Sequence, residues 1–93
     1  MSEAQIQKKI IDYLESLGAY TVKVISSNKK GVPDILCCFN GKFIGIEVKR
    51  PKTKKNTSAL QEYNLKKIKD AGGYSLVAWE VDQVRQFLFS NNL

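Results

Sequence analysis

Apolar residues recur along this chain in two periods, every third or fourth position in some stretches and every second in others, the signatures of helix and strand. Ile6, Ile10, Leu14 and Leu17 keep helical spacing behind Ser2-x-x-Gln5. That motif is a capping box, in which each side chain satisfies the other residue's main-chain N–H, and Gly18 follows as a stop. The pattern predicts a first helix over residues 3–17. Tyr20 to Ile25 is rich in β-formers and reads as a strand, and Ser26 to Val32 as a polar loop. A second capping box, Ser58-x-x-Gln61, opens another helix, with Leu60, Leu65, Ile68 and Ala71 expected inward and Gly72-Gly73 stopping it. Tyr74 to Trp79 forms a further strand, and Asp82 is expected to cap a short last helix carrying Val84, Phe87 and Leu88.

Between these lie two apolar runs, Asp34 to Phe39 and Lys42 to Lys49, separated by Asn40-Gly41. Both turn residues accept the positive φ of a type I′ turn, so the pair signals a two-residue hairpin. Such a turn pairs Phe39 with Lys42, and every further partner then has a number adding to 81, including Asp34 with Glu47. In this register Ile35, Cys37, Ile44, Ile46 and Val48 share one apolar face. Leu36, Cys38, Phe43, Gly45 and Lys49 share the other with the two acids. A slip by one residue would scramble both faces. The predicted order is αβββαβα, one mixed sheet with helices packed on it. At 93 residues, a single domain over 1–93 accounts for the chain.

Composition narrows the chemistry. The chain has no His, which removes Ser-His-Asp and Cys-His catalysis, His-ligated zinc and His-based acid–base nucleases. Carboxylates and lysines must carry any reaction. Cys37 and Cys38 are adjacent, so in a strand they point to opposite faces and do not bridge. They read as two buried small hydrophobes of a protein in a reducing, cytoplasmic compartment. The longest apolar run, Ile35 to Phe39, is too short to span a bilayer, and no signal-peptide pattern opens the chain.

The net charge of +6 is unevenly placed. Between Lys23 and Lys69 there are twelve basic residues and only three acids, Asp34, Glu47 and Glu62, while the rest of the chain is net acidic. Lys49-Arg50-Pro51-Lys52-Thr53-Lys54-Lys55 alone carries five cations and reads as a loop. A concentrated cationic region on a small domain fits a polyanion, and nucleic acid is the commonest. The basic residues do not line one amphipathic helix, which disfavours a membrane surface.

Within that region Asp34 and Glu47 stand opposed, with Cβ atoms roughly 5 Å apart if the ladder holds. Two ionised carboxylates at that range repel by about 3 kcal/mol at an effective dielectric of about 20. Either Lys49 on the same face or a bound divalent cation must offset this, and paired carboxylates with open positions suit Mg²⁺ or Mn²⁺. The competing account is a salt-bridged polar sheet face with no ion.

Pro33-Asp34 followed after a hairpin by Glu47-Val48-Lys49 resembles the PD-(D/E)xK nuclease superfamily. Gly31-Val32-Pro33-Asp34, with an acid at the start of the first helix and Gln61 after a basic loop, is similar to its VRR-NUC (virus-type replication-repair nuclease) branch, in the minimal stand-alone form found in phages and prophages. The resemblance spans nearly the whole chain. It implies a restriction-endonuclease-like α/β fold, an αβββαβ core with a mixed central sheet flanked by helices plus a short C-terminal helix. It further implies that Asp34, Glu47 and the main-chain carbonyl of Val48 ligate Mg²⁺, for which Mn²⁺ can substitute. Lys49 would stabilise charge and position the attacking hydroxide, Gln61 would contact phosphate or the ion's water shell, and Glu3 would act through water. Two of these have rival roles: an acid in a first helical turn suits the macrodipole, and Gln61 completes a capping box. Lys29, Lys30, Arg50, Lys52, Lys54, Lys55 and Ser58 are assigned to nucleic-acid binding.

The expected activity is metal-dependent, structure-selective DNA endonuclease cleavage, foremost that of a homodimeric Holliday (four-way) junction resolvase. The alternatives are a flap or repair-type nuclease, and a non-catalytic DNA-binding module on the same fold. One site cuts one strand, so a two-fold junction calls for two sites. Tyr20, Tyr74, Trp79, Phe87 and Phe89 are available either for such an interface or for the core. Branched DNA is the expected partner, with no membrane and no other protein, in the host cytoplasm if the chain is phage-encoded.

Overall fold

The computed structural model describes residues 1–93. Helix α1 (Glu3–Ser16) leads into strand β1 (Tyr20–Lys23), then β2 (Ile35–Phe39), β3 (Lys42–Val48), α2 (Ala59–Asp70), β4 (Tyr74–Ala78) and α3 (Val81–Ser90). The four strands lie in sequence order, with β1–β2 and β2–β3 antiparallel and β3–β4 parallel. No helix is long and apolar enough to cross a membrane.

The hairpin has the predicted register, from Phe39 opposite Lys42 to Ile35 opposite Ile46. Asn40 and Gly41 take φ of 50° and 75°, the left-handed pair that a type I′ turn needs. Side-chain alternation then divides the sheet. Ile35, Cys37, Ile44, Ile46 and Val48 bury on one face against Ile6, Ile10 and Leu14 of α1 and Val84 and Leu88 of α3. Each such fully buried aliphatic side chain contributes roughly 1.5–3 kcal/mol.

Helix α2 covers the opposite face over β3 and β4. Gly45 makes this close seat possible: a Cβ there would lie 2.7 Å from Ile68 Cδ1 and 3.1 Å from Pro33 Cγ. Ser75, buried in β4, donates its hydroxyl to the Leu65 carbonyl of α2 at 2.7 Å. Both predicted capping boxes form, at Ser2/Gln5 and Ser58/Gln61.

The structure corrects several details. Leu60 and Ala71 are exposed, since only Leu65 and Ile68 of the predicted inward set reach the sheet. Helix α3 is capped by Glu80 rather than Asp82, which sits in its first turn and pairs with Arg85. Strand β1 ends at Lys23, short of the predicted Ile25, although Val24 still donates its N–H to the Asp34 carbonyl in the same register. Cys37 is buried as expected, but Cys38 is exposed on the face that α2 leaves uncovered. Tyr74 and Phe87 pack edge to face against the core, whereas Tyr20 and Phe89 are bare.

Candidate active site

Asp34 stands just before β2 and Glu47 near the end of β3, on the face that α2 covers. One oxygen of the Asp34 carboxylate accepts the Val48 N–H at 2.8 Å, so the β3 main chain fixes its direction. Glu47 is only 3% exposed. Its Oε2 accepts from Gln61 Nε2 at 3.1 Å and lies 3.7 Å from Lys49 Nζ. Its Oε1 is buried with no hydrogen-bond partner. Unless Glu47 holds a proton that it donates to Asp34, that oxygen is an unsatisfied buried acceptor, which is costly and rare in a folded chain.

Electrostatics follows from that burial. Loss of solvent is the main cause that pushes Glu47 up to about 8, and the Asp34 carboxylate beside it adds to the rise. Lys49 opposes the shift, and Glu3 adds a smaller push upward. The pair therefore favours holding a proton, or a cation in its place, over standing doubly ionised.

Gln61 joins the second helix to this chemistry. Its main-chain N–H donates to Ser58 Oγ at 3.1 Å, while its Oε1 accepts from Ser58 N at 3.0 Å. The same Oε1 accepts from Lys49 Nζ at 3.1 Å. The two roles weighed for Gln61 from sequence are thus compatible. The cap locks the side chain, and the locked side chain bridges Lys49 to Glu47.

Glu3, exposed in the first turn of α1, is close enough to act on Glu47 through charge, yet no three acidic or Cys side chains converge as a full ligand set. Val48 buries its side chain in the core and meets the site through its main chain. Arg50, Lys52 and Lys55 project from the loop around a 3-10 turn at Pro51–Thr53, exposed to solvent. Lys54, also exposed, lies over the Trp79 ring, 4.8 Å from its centroid. Ser58 spends its hydroxyl on the helix cap. Lys29 and Lys30 are exposed beside α2, where Asn64 Nδ2 donates to the Lys30 carbonyl at 3.0 Å. Asn64 and Tyr63, also on this side of α2, carry no sequence motif that would have singled them out.

Comparison with known proteins gives the family. The family profile described as archaeal Holliday junction resolvase (hjc) matches residues 3–93. A protein of Acyrthosiphon pisum secondary endosymbiont phage 1, titled "Putative nuclease p44", is 34% identical over 62 residues, which is 66% of this chain and 67% of that protein. A solved structure titled "VRR_NUC domain" superposes with a TM-score of 0.79 at 25% identity, over 98% of this chain and 97% of the other. With an opposed Asp34–Glu47 pair, a Lys49 beside it and a family match over nearly its full length, this chain belongs to the archaeal Holliday junction resolvase (hjc) family of nucleases, on the VRR-NUC fold.

Proposed function

We propose that this nuclease hydrolyses phosphodiesters of branched DNA, foremost four-way junctions, as a homodimer that uses Mg²⁺ or Mn²⁺. The observation that carries the reading is Glu47: a buried carboxylate with one unpartnered oxygen, beside a second carboxylate, in a chain of a nuclease family. The donor set fits a hard divalent cation, since it is all oxygen and Lys49 offsets only part of its negative charge. Asp34, Glu47 and the Val48 carbonyl would hold the ion, leaving other positions to water and substrate. When bound, it would supply Lewis-acid stabilisation of phosphate charge and lower the pKa of a water.

The chain's own residues do the positioning. Hydrolysis forms a bond from water oxygen to phosphorus and breaks the bond to the leaving oxygen, so negative charge grows on the phosphate. Lys49, only 13% exposed at its side chain, places a fixed cation at the carboxylate pair, and Gln61 holds its ammonium in line. A preoriented charge of this kind needs no reorganisation as the reaction proceeds. Asp34, held by the Val48 N–H, keeps its direction without a substrate. Glu3 would tune the site through charge or an intervening water.

The dimer follows from the substrate. Resolving a two-fold junction takes two symmetric nicks, and this chain has one site. The exposed Tyr20, Val22 and Phe89 are available for a partner copy.

The test is cleavage of labelled four-way junction, flap and linear duplex in Mg²⁺, Mn²⁺ and EDTA. Paired nicks across the junction, lost in EDTA and in Asp34→Ala and Glu47→Ala while binding persists, are expected. Binding with no cleavage under either metal would overturn the enzyme reading in favour of a binding module. Preferential flap cleavage would overturn the junction assignment.

A further inference from the structure

A groove runs along α2 away from the carboxylate pair, between that helix and the loop preceding Pro33. It consists of two basins of about 400 and 420 Å³ that share Lys29, Asn64 and Lys67 in their walls. Gly31 brings the loop this close: at φ +81°, it sits where a Cβ would meet the Leu60 main chain at 2.9 Å. The Asn64 amide then ties the loop to the helix by donating to both Lys30 O and Leu60 O.

Charge and rings occur here together. Lys29, Lys30 and Lys67 make no ion pair, and no acid lines either basin. Tyr63 in one basin and Phe43 in the other are 58% and 47% exposed. Neither ring packs against another aromatic or under a cation of the chain. From Gln61 to Ile68 the helix spans about 10 Å, enough for two or three stacked nucleotides at about 3.4 Å each.

A duplex presents phosphates and base edges and keeps its base faces covered by stacking, so exposed rings add little to duplex binding. Unpaired nucleotides offer base faces that stack on such rings regardless of sequence. Resting on the nuclease reading above, we propose that this groove takes two or three unpaired nucleotides of the DNA strand leading from the cleavage site. Their bases stack on Tyr63 and Phe43, and their phosphates meet Lys29, Lys30 and Lys67. On a four-way junction such nucleotides arise where pairs open beside the crossover, so within that substrate class the groove favours a junction with an unpaired stretch next to the cut.

The test uses the full chain in EDTA, which prevents cleavage. Fluorescence anisotropy compares a labelled hairpin duplex bearing a five-nucleotide single-stranded tail with the same duplex left blunt. Wild type is expected to prefer the tailed ligand by about tenfold, on the order of one stacked base. The Tyr63→Ala/Phe43→Leu double variant is expected to abolish that preference, while Tyr63→Phe keeps it. A 2-aminopurine in the tail is expected to be quenched on binding wild type and Tyr63→Phe, and not on binding the double variant. An unaltered preference and quench in a double variant with a wild-type thermal melt would overturn the groove assignment alone. Loss of affinity for both ligands in equal proportion would overturn it too, leaving a phosphate track without stacking. A wild type that binds a four-way junction in the same buffer but neither hairpin would overturn this proposal alone, and one that binds no DNA, junction included, would overturn the nuclease reading with it.

Discussion

Glu47→Gln should make the metal-free protein more stable, and increasingly so as pH rises. Glu47 carries its proton up to about 8 in the folded chain, against an ordinary value near 4.5, because burial and Asp34 penalise its ionised form. In the unfolded chain that proton leaves near the ordinary value. Between the two, the folded state binds more protons than the unfolded, so stability falls as pH rises through that window. Below it the carboxyl is protonated in both states and no penalty exists. Above about 8 both are ionised and the penalty is complete. At 1.36 kcal/mol for each tenfold change in proton affinity, the full penalty is on the order of 5 kcal/mol, a large share of the 5–15 kcal/mol that holds a typical domain together. Glutamine keeps the shape, still accepts from Gln61 and offers an N–H where a carboxylate faced Asp34. The assay is urea unfolding of both proteins in EDTA from pH 4 to 9.5. The stability difference should be near zero at the acid end, grow through neutrality and level off above about pH 9. Added Mg²⁺ should recover stability in wild type by mass action, about 2.7 kcal/mol at a hundredfold excess over Kd, and not in the variant. A pH-independent difference, or a wild type more stable than the variant at pH 9, would refute the reasoning.

Three further outcomes test other parts of the structure. Ser58→Ala should cost about 1 kcal/mol through removal of the cap, whereas Gln61→Ala should cost a similar amount and also slow cleavage more than Ser58→Ala, since only Gln61 orients Lys49; equal rates in the two variants would separate Gln61 from the site. Gly45→Val should destabilise by roughly 1–3 kcal/mol, because its side chain overpacks against Ile68 and Pro33, which a chemical-denaturation midpoint would read. Replacing Lys52 or Lys55 by Ala should weaken DNA binding in EDTA across all sequences and reduce the slope of log K against log salt by about 1 for each phosphate no longer neutralised, while an unchanged slope would mark that lysine as merely solvated.

Turn and cap chemistry is local, and that part of the fold is written in short stretches of the chain. Asn40-Gly41 sets the hairpin, the hairpin sets the register, and the register places Asp34 and Glu47 at neighbouring positions before any tertiary packing is known. Ser2/Gln5 and Ser58/Gln61 likewise start their helices from spacing alone. Periodicity also reports which residues share a side of an element. It does not report what covers that side. Leu60 and Ala71 have helical spacing with Leu65 and Ile68, yet they stay exposed because α2 meets the sheet through Leu65 and Ile68, over Ser75 and Gly45. Whether Lys54 lies over a ring depended on where β4 delivers Trp79. The bridge from Lys49 through Gln61 to Glu47 spans β3 and α2, and the basic groove joins the loop, β3 and α2. By itself, then, the sequence determined the elements, the hairpin register and the opposed acids, because each depends on neighbours a few residues apart. Only the tertiary structure decided how deeply Glu47 is buried, which residue holds Lys49 and where the basic groove along α2 lies, because each depends on side chains brought together by packing.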